Sequence, residues 1–255
     1  MKAIVAFVGI AYALSAALSL TIGLTGGHSS PLIGLGYLSM FLPAIAVLIV
    51  RAVYHEGPQI CWERFPLRYL PVALFLMPAL MHAVMLPLMA AATGGIQWQP
   101  HGNIVLNAVV GVVIVSALAF FEEVGWRAWL LPRLAERLDP PVAVLLTSII
   151  WAGWHVPFQL SGISHIDGVS PMHLILPATF GVVASGLLLG WLWLRTESIW
   201  MVAIAHGSFN NWGQFAFKYM KDSGSPDLDL SVLATGSLAV FVVGVLLLWR
   251  IPRTL

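Results

Sequence analysis

Two adjacent carboxylates, two imidazoles and a side-chain amide stand within stretches of the chain that are otherwise oily. Phe121-Glu122-Glu123 leads into Arg127, Trp151 precedes His155 by four residues, and His206 precedes Asn210 by four. An ionisable group at the centre of a membrane helix costs at least ~2.5–3.5 kcal/mol, so each of these marks a function by default. On a helix Glu123 and Arg127 lie about 40° apart around the axis and can pair, whereas Glu122 is about 140° from the arginine. That geometry suggests a division of labour, with Glu123–Arg127 as a structural ion pair and Glu122 left available as a general base. The alternative is that both glutamates face water at the membrane boundary. Trp151 and His155 share a helix face, although a lone membrane histidine can equally be a hydrogen-bonded core group. His206 and Asn210 point two donors the same way, and Asn211 and Gln214 continue that polar face less regularly. Interhelical hydrogen bonding, worth on average ~0.6 kcal/mol per contact, is the alternative there. Together these residues supply what hydrolysis of an amide needs: one set activates water and another stabilises the oxyanion. No serine or cysteine nucleophile is required. Cys61, the only cysteine, falls in a loop away from the set, which also excludes an intrachain disulfide and a cysteine-based zinc site.

The elements that must position these groups are membrane helices. Of 255 residues, 59% are hydrophobic and 9% charged, and the mean hydropathy is +0.90. Water-soluble domains carry roughly a quarter charged residues, so an ordinary soluble enzyme is excluded. A disordered chain is excluded too, because apolar content is high and charge blocks are lacking. A net charge of +1 builds no basic surface for nucleic acid. The expected fold is all-α: a polytopic membrane protein with a bundle of about eight transmembrane helices, forming a single domain over 1–255. A span needs about 20 apolar residues, and candidates are 3–24, 32–50, 69–92, 103–126, 142–159, 174–194, 199–217 and 230–249. Span 199–217 is the weakest, because it carries His206, Asn210, Asn211 and Gln214. The first span is longer than the ~7–15-residue core of a signal peptide, so a retained helix is expected. Pro43, Pro71, Pro78, Pro87 and Pro177 fit kinked membrane helices, and Trp62, Trp98, Trp200 and Trp249 fit interfacial anchors.

Orientation follows from the basic residues. Lys2, Arg51, Arg64, Arg68, Arg127, Arg133, Arg137, Arg195, Arg250 and Arg253 fall on one side, and only Lys218 and Lys221 on the other. Both termini are therefore expected in the cytosol, which requires an even number of spans. Simple span-counting leaves Glu122 and His155 some 20 Å apart along the bundle at 1.5 Å per residue. They become level if the helix carrying Glu122 continues through 128–138 and turns at Asp139-Pro140-Pro141, a strong turn signal midway between them. The catalytic cavity is then expected within the membrane, open towards the cytosol.

The three motifs resemble those of the CPBP family of intramembrane peptidases, which includes the CAAX prenyl endopeptidases and bacteriocin-processing and abortive-infection relatives. That family's pattern reads EExxxR, FxxxH and HxxxN on three helices of an eight-span bundle. Here the first stands as Glu122, Glu123 and Arg127 and the third as His206 and Asn210; in the second, Trp151 replaces the usual Phe ahead of His155, read as a packing variation. The resemblance covers roughly 118–215. It implies a glutamate-type intramembrane endopeptidase in which Glu122 and His155 polarise the attacking water, His206 and Asn210 form the oxyanion hole, and Glu123 and Arg127 buttress the site. It implies no cofactor; a zinc-dependent peptidase using Glu122, His155 and His206 as ligands is the minority reading. The implied partners are the lipid bilayer and a membrane-associated peptide or protein, lipid-modified tails among them, with the plasma membrane as the expected location. A non-catalytic immunity or scaffold protein and a small transporter are the competing classes, though a transporter's paired broken helices in two related halves are not evident. His28, His101, His165 and His173 fall in or beside the outer connections as loop histidines. His82 is left without a role, to bond a neighbouring helix.

Overall fold

The computed structural model describes residues 1–96, 98, 99, 102–164, 166, 168–213, 215, 219 and 225–251. His101, His165, Gln214, Lys218, Lys221 and Arg253 lie outside these. The described chain is helical. α1 is Lys2–Leu24, α2 is Leu42–Tyr54, α3 is Leu70–Thr93, α4 is Ile104–Ala135, α5 is Pro140–Leu160, α6 is Pro171–Thr196, α7 begins at Ile199, and α8 is Pro226–Trp249. α2 is entered through a nine-residue 3₁₀ helix, Ile33–Phe41, and the two together are long enough to cross a bilayer.

Seven of these segments have the length and apolar composition of membrane spans, against the eight that hydropathy suggests. The eighth is α7. Its ten α-helical residues, Ile199–Ser208, continue into a five-residue π turn, Phe209–Gly213. Beyond Gly213, Phe215 and Tyr219 are also helical.

The helices close into a ring in which each packs on two main neighbours, in the order α1, α2, α4, α7, α3, α8, α6, α5 and back to α1. Close approach depends on small residues at the crossings, as membrane packing requires. At Gly207 of α7 a Cβ would collide with the Ser116 backbone of α4, and at Gly125 it would stand 2.5 Å from Pro43 Cβ. The bulkiest fully buried side chains, Trp126, Trp129, Trp151 and Trp154, gather where α1, α4 and α5 meet, with Phe7 of α1 5.4 Å from the Trp126 ring.

The turn that levels Glu122 with the later motifs is present. α4 runs thirteen residues past Glu122 to Ala135, Asp139 takes the N-cap position, and α5 starts with Pro140 and Pro141, where a missing N–H costs nothing. Among the described residues His82 bonds its own helix and not a neighbouring one: its Nδ1 lies 2.7 Å from the Pro78 carbonyl one turn back in α3. Trp62, Trp98 and Trp249 are exposed, as interfacial anchors should be, while Trp200 is half-buried with its indole N–H on the Trp62 carbonyl.

Candidate active site

Glu123 is the hub of the cluster and has no exposed surface. Its Oε1 accepts from Arg127 Nη1 at 3.0 Å and from His206 Nδ1 at 2.7 Å, so the third motif is tied to the first through one carboxylate oxygen. Arg127 is equally buried, and its guanidinium carbon lies over the Trp151 ring, 4.3 Å from the centroid. Glu123 Oε2 and Arg127 Nε and Nη2 have no hydrogen-bond partner among the described residues. Unpaired polar atoms of this kind are expensive in a fold, and three of the six among the described residues belong to this ion pair.

Glu122 is separate from that network, as the helical phase implies. Its Oε2 accepts from the indole Nε1 of Trp151 at 3.0 Å. Trp151 is therefore more than a packing variant: a Phe at 151 would fill part of the space but has no N–H to donate. The same indole stands edge-on to both imidazoles, with centroids 5.3 Å from His155 and 5.1 Å from His206. His155 Nδ1 lies 2.9 Å from the Trp151 carbonyl, so a proton on Nδ1 is held there and Nε2 is left as the free nitrogen. Glu122, Glu123, Arg127, Trp151, His155 and His206 thus make one contiguous cluster.

Asn210 is half-buried one turn beyond His206, in the π turn, and no hydrogen bond engages its amide among the described residues. Its neighbour Asn211 is the interhelical glue, with Nδ2 3.2 and 3.3 Å from the carbonyls of Asn107 and Ala108 on α4; Trp212 Nε1 joins it on Ala108 at 2.8 Å. Two π turns occur in this chain's described residues, Trp126–Leu130 and Phe209–Gly213, and both abut motif residues. π turns are frequent at functional sites, where an extra residue re-aims side chains.

Several positioning residues escape motif reading. From α1, Tyr12 Oη donates to the Ile150 carbonyl at 2.6 Å and Ser15 Oγ to the Trp154 carbonyl at 3.1 Å, while Trp154 Nε1 returns a bond to the Ala11 carbonyl at 3.1 Å. These three bonds clamp the stretch of α5 that carries Trp151 and His155. Beyond Arg127, Arg133 binds Glu56 at 2.9 Å and Trp129 donates to the Glu56 carbonyl at 3.0 Å, anchoring the α4 extension to the loop after α2. The polar atoms of a span that face an aromatic or a small residue on a distant helix are the sequence signal, but the partner is set only by the ring order.

No set of three His, Cys, Asp or Glu side chains among the described residues is grouped to enclose a metal ion. Glu122 and His206 each already face a different protein partner, Trp151 and Glu123.

A polytopic helical bundle with a buried carboxylate, indole and imidazole cluster defines an intramembrane site suited to acid–base chemistry. Residues 102–212 match the family described as type II CAAX prenyl endopeptidase Rce1-like. A "CAAX prenyl protease 2" from Methanococcus maripaludis is 24% identical over 187 residues, which are 71% of this chain and 66% of that protein, so the chain spans a little under two thirds of that relative's length. The two matches support assignment of the chain to the CAAX protease family, and the matched segment includes all three motifs.

Proposed function

We propose that this protein is an intramembrane endopeptidase of the CAAX-protease type. The observation that carries the reading is the Glu122 carboxylate, buried, free of the neighbouring ion pair, and held by the Trp151 indole that also abuts both imidazoles. In this reading water attacks the scissile carbonyl while Glu122 takes its proton and returns it to the leaving amine. His155 accepts from the same water through Nε2, since Nδ1 faces the Trp151 carbonyl. His206 and Asn210 donate to the oxyanion. The Glu123 carboxylate holds His206 through Nδ1, which leaves Nε2 as the nitrogen that faces the oxyanion. Asn210, unengaged and half-buried, is free to turn towards substrate. The substrate is a membrane-associated tail, lipid-modified by analogy with the name of the archaeal relative, and the protein acts in the plasma membrane with both termini cytosolic.

The test is turnover by the purified full-length chain of prenylated and unmodified peptides ending in a CAAX sequence, with wild type against Glu122→Gln. Loss of at least ~10²-fold is expected, the range for removing a general base. Equal turnover by the two would sink the glutamate assignment. Abolition by chelator with rescue by zinc would replace it with metal-assisted hydrolysis by the same residues. Absence of turnover in both, with the bundle intact, would leave the non-catalytic scaffold.

A further inference from the structure

Three arginines from three parts of the chain line one cleft, where α6 ends and α3 and α7 begin. Arg64, Phe65 and Pro66 come from the connection after α2, Arg68 and Tyr69 from the short 3₁₀ turn that opens α3, and Arg195 and Thr196 from the last turn of α6; the cleft measures about 320 Å³. Arg127, Arg133 and Arg137 each hold a glutamate, whereas Arg51 and Arg250, which stand apart from this cleft, meet none among the described residues. In the cleft only Arg64 holds one, exposed Glu197. Arg68 lies over the Tyr69 ring, 5.3 Å from its centroid, and neither Arg68 nor Arg195 meets a carboxylate among the described residues. Even with exposed Glu63 nearby in sequence, the cleft keeps an excess of positive charge.

The cleft is also built, since its walls are bonded to one another. Ser198 Oγ donates to the Arg64 carbonyl at 2.5 Å, Trp200 Nε1 to the Trp62 carbonyl at 2.9 Å, and the Ser198 amide to Thr196 Oγ1 at 3.3 Å. Its shoulder is apolar and outward-facing, with Phe65 44% and Leu67 69% exposed. Two spans begin or end at this level, so the guanidinium groups stand where hydrocarbon gives way to headgroups.

We propose that this cleft binds the phosphate of an anionic phospholipid. The guanidinium fork matches phosphate oxygens in pairs, and basic pockets between spans take phosphate heads. A phosphodiester of one negative charge offsets half of the charge that Arg68 and Arg195 bring, and the Phe65–Leu67 shoulder receives the acyl chains, which a free phosphate lacks. Ser198 is the N-cap of α7, accepting from the Met201 amide at 3.3 Å, and α7 carries His206. A lipid bridging Arg68 and Arg195 therefore braces the start of a helix that reaches the candidate active site.

Native mass spectrometry of the full-length protein, equilibrated with phosphatidylglycerol, phosphatidylcholine or inorganic phosphate, tests this without relying on turnover. Wild type is expected to retain phosphatidylglycerol over phosphatidylcholine by roughly 10- to 30-fold, from about one fivefold factor per cation near an anionic headgroup. In Arg68→Gln/Arg195→Gln that preference falls to about one, while Arg137→Gln, an arginine outside the cleft, keeps it. Equal preference in wild type and the double variant overturns the proposal, as does an equal loss in Arg137→Gln or binding of inorganic phosphate with no retention of the lipid. All three side chains are exposed, and an unchanged melting temperature confirms that the variants fold.

Discussion

Trp151 illustrates how much chemistry one side chain can carry in a dry site. Its N–H fixes Glu122, its face receives Arg127, and its edges abut both histidines. Trp151→Phe keeps an aromatic ring and removes the donor. A hydrogen bond to a charged group is worth about 1.5–3 kcal/mol, so if Glu122 is the base, kcat should fall roughly 10- to 100-fold with KM little changed. A rise in KM at constant kcat would instead place Trp151 in substrate binding. The spacing of Glu122, Glu123 and Arg127 made their division of labour legible before any coordinates, because helical phase alone decides which carboxylate can reach the arginine. The bridge from Glu123 to His206 was not legible, since it joins residues 83 positions apart through a packing that no local pattern encodes.

Helices were readable from hydropathy wherever they were long and apolar, and the α4–α5 turn from Asp139-Pro140-Pro141. What hydropathy could not supply was the π turn, which inserts a residue without changing composition. Reading α7 as a regular helix puts His206 and Asn210 on one face; in the structure the turn at Phe209–Gly213 hands the interhelical bonds to Asn211 and leaves Asn210 unengaged. The eighth span was equally ambiguous, because the polar residues that make α7 interesting are those that lower its apolar signal. At Gly207, α7 lies close against the Ser116 backbone of α4. Gly207→Val forces β-branched bulk against the Ser116 backbone. Overpacking of this kind costs typically ~1–3 kcal/mol, so the melting temperature should fall and turnover with it, as His206 is levered away from Glu123. A variant as stable and active as wild type would show that α7 is free to shift.

The ring of helices has two unlike ends, and their difference in basic residues gives an expectation for which of them is cytosolic. Arg51, Arg64, Arg68, Arg133, Arg137, Arg195 and Arg250 gather at one end, whereas residues 25–31, 93–102 and 160–173 at the other contain no lysine or arginine. Basic residues stay on the cytosolic side during insertion. His206 lies about 10 Å along α7 from its start at the basic end, and Trp151 about 16 Å along the roughly 32 Å of α5 from the same end, so the cluster sits near mid-height of the bundle. Because Cys61 is the sole cysteine, orientation can be read with one reporter at a time in a Cys61→Ser background. Exposed Glu63, beside the arginine cleft, and exposed Ser29, after α1, mark opposite ends. In intact cells a membrane-impermeant maleimide should label Ser29→Cys and spare Glu63→Cys until the membrane is permeabilised. The reverse pattern would put the termini and the arginine cleft outside, and the candidate active site would then open to extracellular rather than cytosolic substrates.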